Sequence, residues 1–231
     1  MVLMPWLFYV CDEAHLIQKA VEEVQNNLNI AVLHVACHET GLESSLQRLK
    51  LLLKMETDDV RIVAIWGMGG IGKTTIAKKL YNLVQHKFEG STFLANIGET
   101  SKQTNGLVLL ILDDEDDVQQ LKALAIDREI FGFGSRIIIT TRDISSLNFI
   151  KVDEIYAAEK MNEDESLELF RWHCFKEHHH TEDHLDLSNQ VVHYAGGLPL
   201  ALEVLGSFFC GKSIPQWKSA IAKLRKIPDD D

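Results

Sequence analysis

A glycine-rich loop places the tightest constraint on how this chain can fold. Residues 67–74 read GMGGIGKT and fit the P-loop pattern GxxxxGK[ST]. The run just before them, Arg61 to Trp66 (RIVAIW), is apolar and β-branched, which is typical of a strand buried on both faces. The residues after the loop place one apolar face on a helix: Ile76, Ala77, Leu80, Leu83 and Val84. Strand, loop and helix are the context that the pattern requires.

The loop predicts a phosphate site. Its glycines allow positive φ and close backbone approach, so that successive N–H groups point at phosphate oxygens. We expect Lys73 to neutralise the β and γ phosphates of a nucleotide and the Thr74 hydroxyl to ligate Mg²⁺. The residues expected to contact the nucleotide here are Gly67, Gly69, Gly70, Ile71, Gly72, Lys73, Thr74 and Thr75.

Two carboxylates end a second apolar run, Leu107 to Asp114 (LVLLILDD), in the arrangement of a Walker B strand. We expect Asp113 to hold Mg²⁺ through its water shell. Asp114 is the candidate general base for a water in line with the γ phosphate. The alternative is a solvated acidic turn, because the acidic run continues over residues 115–117.

Arg142 follows a further predicted strand, Arg136 to Thr141, at the edge of the sheet where ligands of open α/β folds bind. A guanidinium there can contact a γ phosphate and distinguish ATP from ADP. The alternative is an ordinary surface arginine at the end of a strand.

The other apolar runs predict strands at 91–97, 107–112 and 154–157, and their alternation with helices predicts a parallel α/β sheet. Beyond residue 160 the pattern is helical, with Asn162 as the first N-cap. We expect an N-terminal segment and linker helix at 1–34, a P-loop domain at 35–160 and a helical subdomain at 161–231.

The interval 98–106 is short for a parallel crossover, which needs about a dozen residues or more. Either its flanking strands pair as a hairpin or a connecting segment is absent from this chain. Upstream, Thr40 and Glu43 match a capping box, which predicts a helix beginning near Gly41, and residues 14–27 predict an amphipathic helix.

Composition excludes several classes of protein. A net charge of −11 repels nucleic acid over most of the surface. The four cysteines, Cys11, Cys37, Cys174 and Cys210, form no CxxC pair and no dense disulfide framework, which favours reduced thiols in the cytoplasm.

Two local features have ordinary explanations. The apolar opening, residues 1–10, is short for a membrane span and lacks a basic leader, so we expect neither a signal nor an anchor. The histidines at 178–180 and His184 lie in an unpatterned polar stretch, where we expect a solvated loop rather than a metal site.

Together these residues resemble the NB-ARC nucleotide-binding module of plant disease-resistance proteins, part of the STAND class of P-loop switches. The resemblance covers most of the chain from about Asp12 onward. The segments that carry it are GMGGIGKTT at 67–75, FLANI at 93–97, LDD at 112–114, GSRIIITTRD at 134–143 and AGGLPLALEVLGS at 195–207. FLANI and Asp116 are similar to the subgroup that carries an N-terminal TIR domain.

The resemblance implies roles for individual residues. Lys73 and Thr74 would bind phosphate and Mg²⁺, Arg142 would sense the γ phosphate, and Pro199 would lie over the adenine. The segment at 38–43 (HETGLE) is similar to the linker that edges the adenine in relatives.

The departures from the family pattern predict a truncated member with an internal deletion. We expect no TIR domain (and so no TIR-type NADase), no leucine-rich repeats and no winged-helix subdomain. Glu115 and Phe133 also replace the usual residues at their positions. The implied function is an ADP- or ATP-binding switch in plant immune signalling with at most slow hydrolysis, its partners being other signalling proteins. The alternatives are a P-loop ATPase or kinase, and a non-switching interaction fragment.

Overall fold

A computed structural model describes residues 32–35, 40–95, 106–114, 128, 131–175 and 182–225. The chain divides into two compact units. The first includes Ser44–Met68 and Lys73–Ala158, and the second comprises Ala36–Glu43, Gly69–Gly72 and Glu159–Asp231.

The first unit is built on a parallel five-stranded sheet with the order β2-β3-β4-β1-β5. Its strands are β1 (Arg61–Trp66), β2 (Gly90–Ala95), β3 (Val108–Asp113), β4 (Arg136–Thr141) and β5 (Glu154–Ala157). Every residue of β4 is buried, because β4 lies between β3 and β1. The parallel α/β sheet expected from the alternating pattern is confirmed.

The register of β2 corrects one of the two sequence alternatives. β2 pairs with β3 in parallel, with Gly90 opposite Val108. A hairpin would make these strands antiparallel, so the hairpin alternative is wrong. The short stretch after β2 therefore connects parallel neighbours.

Among its described residues, the first unit has the helices α1 (Glu43–Leu53) and α2 (Lys73–Val84), with 3₁₀ turns at Gln85–Lys87 and Ile144–Phe149. The helix α1 begins two residues after the expected position. The capping box predicted for Thr40 and Glu43 does not form. The Thr40 hydroxyl is buried without a hydrogen-bond partner among the described residues. The sequence pattern predicted that Leu83 belongs to the buried face of α2, but Leu83 is exposed and Tyr81 is buried instead.

The second unit contains α3 (Glu163–Phe175), α4 (Glu182–Ala195), α5 (Pro199–Phe209) and α6 (Ile214–Leu224). The Asn162 side chain accepts from the Glu165 amide, and the Glu165 carboxylate accepts from the Asn162 amide, so this expected cap is confirmed. Phe170, Phe209 and Trp217 are fully buried at the centre of the helical core.

Some expectations fall outside the described residues: the opening run, the helix at 14–27, Cys11, Cys37, residues 115–117 and the histidines at 178–180. His184 is described, and for it the expected solvated loop is wrong: it lies on the helix α4 and contacts the rings of Phe175 and Trp217 edge-on. Cys174 and Cys210 are free thiols, and burial raises the pKa of Cys174 to about 12. Within the described ranges, no helix has the length and apolar character to cross a bilayer.

A buried arginine connects β4 to the segment that precedes β1. The Arg136 side chain is 1% exposed. Its guanidinium donates to backbone carbonyls in the segment before β1 and in the two residues just before β4. The acceptors are the carbonyls of Leu53, Lys54, Thr57, Asp59, Gly134 and Ser135. Burial lowers the pKa of Arg136, and the nearby Asp59 carboxylate opposes that change. A hydrogen bond from the Thr57 hydroxyl lowers the pKa of Asp59.

This network predicts that Arg136→Met destabilises the first unit. Methionine fills part of the space but leaves the buried carbonyls without their donors, which costs about 3 kcal/mol or more in free energy of unfolding. Urea denaturation measures the loss. Arg142→Met is the matched control, because Arg142 is half-exposed and its removal should cost less than about 1 kcal/mol. Equal unfolding midpoints for the two variants would contradict the role given to Arg136.

Candidate nucleotide site

The P-loop connects β1 to α2 through a backbone that only glycine adopts easily. Gly70 and Gly72 have φ of 78° and 94°, in the left-handed region. Within the second unit, the Leu200 amide donates to the Gly70 carbonyl at 3.2 Å. A side chain at residue 70 would bring its Cβ to 2.9 Å from the Leu200 Cβ, so glycine is also required sterically.

Lys73 is the first residue of α2, and its side chain turns back to the loop. The residue is 7% exposed. Its Nζ donates to the carbonyls of Gly67 at 2.8 Å and Met68 at 3.1 Å. A buried ammonium is stable only when its donors are satisfied, and these carbonyls supply acceptors at the mouth of the loop. The lysine is therefore held in the loop that the sequence predicts to bind phosphate.

Asp113 ends β3 within hydrogen-bond distance of two hydroxyl groups. Thr74 Oγ1 donates to Asp113 Oδ1 at 3.0 Å, and Thr140 Oγ1 donates to the same oxygen at 2.6 Å. Asp113 is 5% exposed. Hydroxyl and carboxylate oxygens are the ligands that Mg²⁺ prefers, so the pair of Thr74 and Asp113 fits this ion.

Asp114 adopts an unusual backbone beside Arg142. Its φ is 61°, which aspartate tolerates better than most residues, and its amide donates to Thr140 Oγ1 at 2.9 Å. Arg142 Nε lies 3.4 Å from Asp114 Oδ1, and both side chains are about half-exposed. The Trp66 indole donates to the Arg142 carbonyl at 3.2 Å, which ties this residue to the end of β1.

Pro199 occupies the first turn of α5, where its missing N–H costs no hydrogen bond. Within the second unit, its Cγ is 4.0 Å from the position that a Cβ on Gly72 would take. The structure thus places Pro199 beside a P-loop glycine.

In the first unit, the structure brings together Lys73, Thr74, Asp113, Asp114 and Arg142 at the carboxyl ends of β1, β3 and β4. Thr140 also belongs to this site, because its hydroxyl contacts Asp113 and Asp114, and it was not among the residues expected from sequence. A hydroxyl in an otherwise isoleucine-rich buried strand must find a partner. That signal was available in the sequence RIIITT.

Comparison with protein families gives a match to the NB-ARC domain at residues 42–107. Across 95% of this chain, the disease resistance protein RPV1 of Vitis rotundifolia is 37% identical. The TMV resistance protein N of Nicotiana glutinosa is 33% identical across 92% of it. The chain belongs to the NB-ARC family of plant disease-resistance proteins. It spans 18% of RPV1 and 22% of the tobacco protein, about a fifth of each.

Solved structures share this fold. A STAND-class signal transduction ATPase from Pyrococcus horikoshii superposes with a TM-score of 0.50 at 16% identity, covering 84% of this chain and 33% of that protein. The RuvB branch migration motor of Thermotoga maritima superposes with a TM-score of 0.52 at 14% identity, covering 83% of this chain and 72% of RuvB. At these identities the likeness concerns the fold.

The alignment with RPV1 extends over 256 residues, whereas this whole chain has 231. Across the matched stretch the relative therefore carries residues that this NB-ARC chain lacks. A shortened connection between two elements has this effect on an alignment.

Proposed function

We propose that this NB-ARC module binds ADP or ATP with Mg²⁺ and acts as a switch in a cytoplasmic plant immune receptor. The observation that carries the proposal is the contact of the P-loop hydroxyl with the Walker B carboxylate, Thr74 to Asp113 at 3.0 Å, beside the buried Lys73. The role in immunity is supported by the relatives, which are named as disease resistance proteins. The net charge of −11 supports partners other than nucleic acid, such as further signalling proteins.

Each residue contributes a distinct interaction in this proposal. Lys73 exchanges its carbonyl acceptors for phosphate oxygens, while backbone amides of the P-loop, residues 67–75, orient the phosphates. Thr74 and Asp113 hold Mg²⁺, which neutralises charge on the phosphates when it is bound. Pro199 covers the adenine, as the resemblance to the family implies.

The ion pair of Asp114 with Arg142 supports slow hydrolysis at most. A general base must contact the attacking water, and Asp114 Oδ1 instead lies 3.4 Å from Arg142 Nε in an ion pair. A γ phosphate would offer the Arg142 guanidinium a second anionic partner. We propose that ATP makes Arg142 exchange partners in this way, whereas ADP, without a γ phosphate, leaves the pair in place.

Lys73→Ala should weaken both nucleotides strongly. The variant loses the point charge in a site otherwise built from backbone dipoles, and we expect about 3 kcal/mol, or roughly a hundredfold, by calorimetry. Lys79→Ala is the control on the same helix, outside the loop, and should bind like the parent chain. Unchanged affinities for ADP and ATP in the Lys73 variant would refute the P-loop assignment.

Asp113→Asn should act mainly through the metal. The amide keeps the shape of the side chain but loses the charge that favours Mg²⁺. We expect the Mg²⁺ concentration for half-maximal ATP binding to rise about tenfold, with little change in binding measured in EDTA. Superimposable magnesium titrations would remove Asp113 from the metal site.

Arg142→Ala should be selective between nucleotides. We expect ATP to weaken relative to ADP by about 1.5 to 3 kcal/mol, the range for a hydrogen bond to a charged group. Paired affinities on folded protein decide the matter, and Arg225→Ala, an exposed arginine of the second unit, controls for loss of a positive charge. Equal losses for ATP and ADP would exclude Arg142 as a γ-phosphate sensor.

A further inference from the structure

Thr140 is the one buried hydroxyl in the described structure that contacts both aspartates of the Walker B strand. Thr140 is fully buried near the end of β4, which lies between β3 and β1. Its Oγ1 is 2.6 Å from Asp113 Oδ1 and 2.9 Å from the Asp114 amide nitrogen.

The direction of both hydrogen bonds follows from their chemistry. An ionised carboxylate only accepts and a backbone amide only donates, so the Thr140 hydroxyl gives its proton to Asp113 and accepts the proton of Asp114. Hydrogen bonds in such a chain polarise and strengthen one another. Threonine has a restricted χ1, and burial excludes competing water, so the hydroxyl has a fixed position.

Both contacts act on groups that matter to the site. The first holds the Asp113 carboxylate, whose Oδ1 also accepts a hydrogen bond from the Thr74 hydroxyl. The second holds the backbone of Asp114 at a φ of 61°, the conformation in which its side chain pairs with Arg142. Without an acceptor for this amide, the left-handed backbone loses one of its supports.

We propose that Thr140 is a positioning residue that sets Asp113 for Mg²⁺ and, through the same hydroxyl, Asp114 for its pair with Arg142. The part of this inference that concerns Mg²⁺ and ATP rests on the proposed function, whereas the hydrogen bonds of Thr140 do not depend on it. A change at the magnesium carboxylate is thereby transmitted through one hydroxyl to the Asp114–Arg142 pair.

The test compares Thr140→Val, Thr140→Ser and Thr141→Val with the parent chain. Valine matches threonine in shape and removes the hydroxyl, whereas serine keeps it. Thr141 is equally buried, but its hydroxyl contacts Asp143 rather than the Walker B aspartates, so Thr141→Val controls for loss of a buried hydroxyl.

Thr140→Val should raise the Mg²⁺ concentration for half-maximal ATP binding about tenfold, the usual scale for loss of a hydrogen-bond partner of a metal ligand. Its ADP affinity in EDTA should stay within about twofold of the parent, because the P-loop is intact. Thr140→Ser and Thr141→Val should titrate like the parent. A parent-like magnesium curve for Thr140→Val, or an equal loss of ADP affinity in EDTA, would overturn the proposal.

A second measurement needs neither nucleotide nor metal. Amide hydrogen exchange at Asp114, in the free protein, should be at least about fivefold faster in Thr140→Val than in the parent and in Thr140→Ser. If the parent binds no nucleotide, the proposed function fails while this measurement still judges Thr140. Equal exchange in all variants would overturn the inference. If Thr140→Val does not fold, Thr140→Ala takes its place in both measurements.

Discussion

A polar side chain that is buried must find its hydrogen-bond partners inside the protein, and β4 carries three such side chains. Arg136, Thr140 and Thr141 are all fully buried in this central strand. Arg136 satisfies its donors on the loop before β1, whereas Thr140 satisfies its hydroxyl on Asp113 and Asp114. The same requirement thus fixes the sheet at one end of β4 and the candidate site at the other.

The parallel register explains why the candidate site forms where it does. β1 and β3 both pair with β4, so their carboxyl ends reach the same edge of the sheet. β1 leads into the P-loop, β3 ends at Asp113, and β4 leads to Arg142. Residues far apart in sequence therefore contribute a lysine, two carboxylates and a guanidinium to one edge of the sheet.

Much of this arrangement follows from sequence, because local patterns determine it. β1, β4 and β5 coincide with the runs that predicted them, because each run is rich in β-branched or aromatic residues that favour strands. The P-loop and the Walker B strand are recognisable because their spacing is local. The sequence also predicted the N-cap at Asn162, whose partner Glu165 is only three residues away.

Long-range partners were less accessible to sequence reasoning. The guanidinium of Arg136 binds carbonyls more than 70 positions away, and no local pattern identifies such acceptors. Thr140 was overlooked because its two partners lie on another strand. The expected capping box at Thr40 fails although its spacing is correct, since a sequence match does not fix the direction of a side chain. Likewise, the choice between a hairpin and a parallel pair at β2 depended on contacts across the sheet.

The two arginines of the β4 region would look alike in a genetic screen, although they act in different ways. Loss of the buried guanidinium at Arg136 lowers the fraction of folded protein, and cells remove unfolded chains. Loss of the half-exposed guanidinium at Arg142 should leave the amount of folded protein nearly unchanged, so that its effect would lie in binding, as proposed for this residue. Under the proposed function, either change would silence the receptor. Protein abundance in the plant cell, rather than the phenotype, distinguishes an allele that removes the module from one that leaves it present but unresponsive.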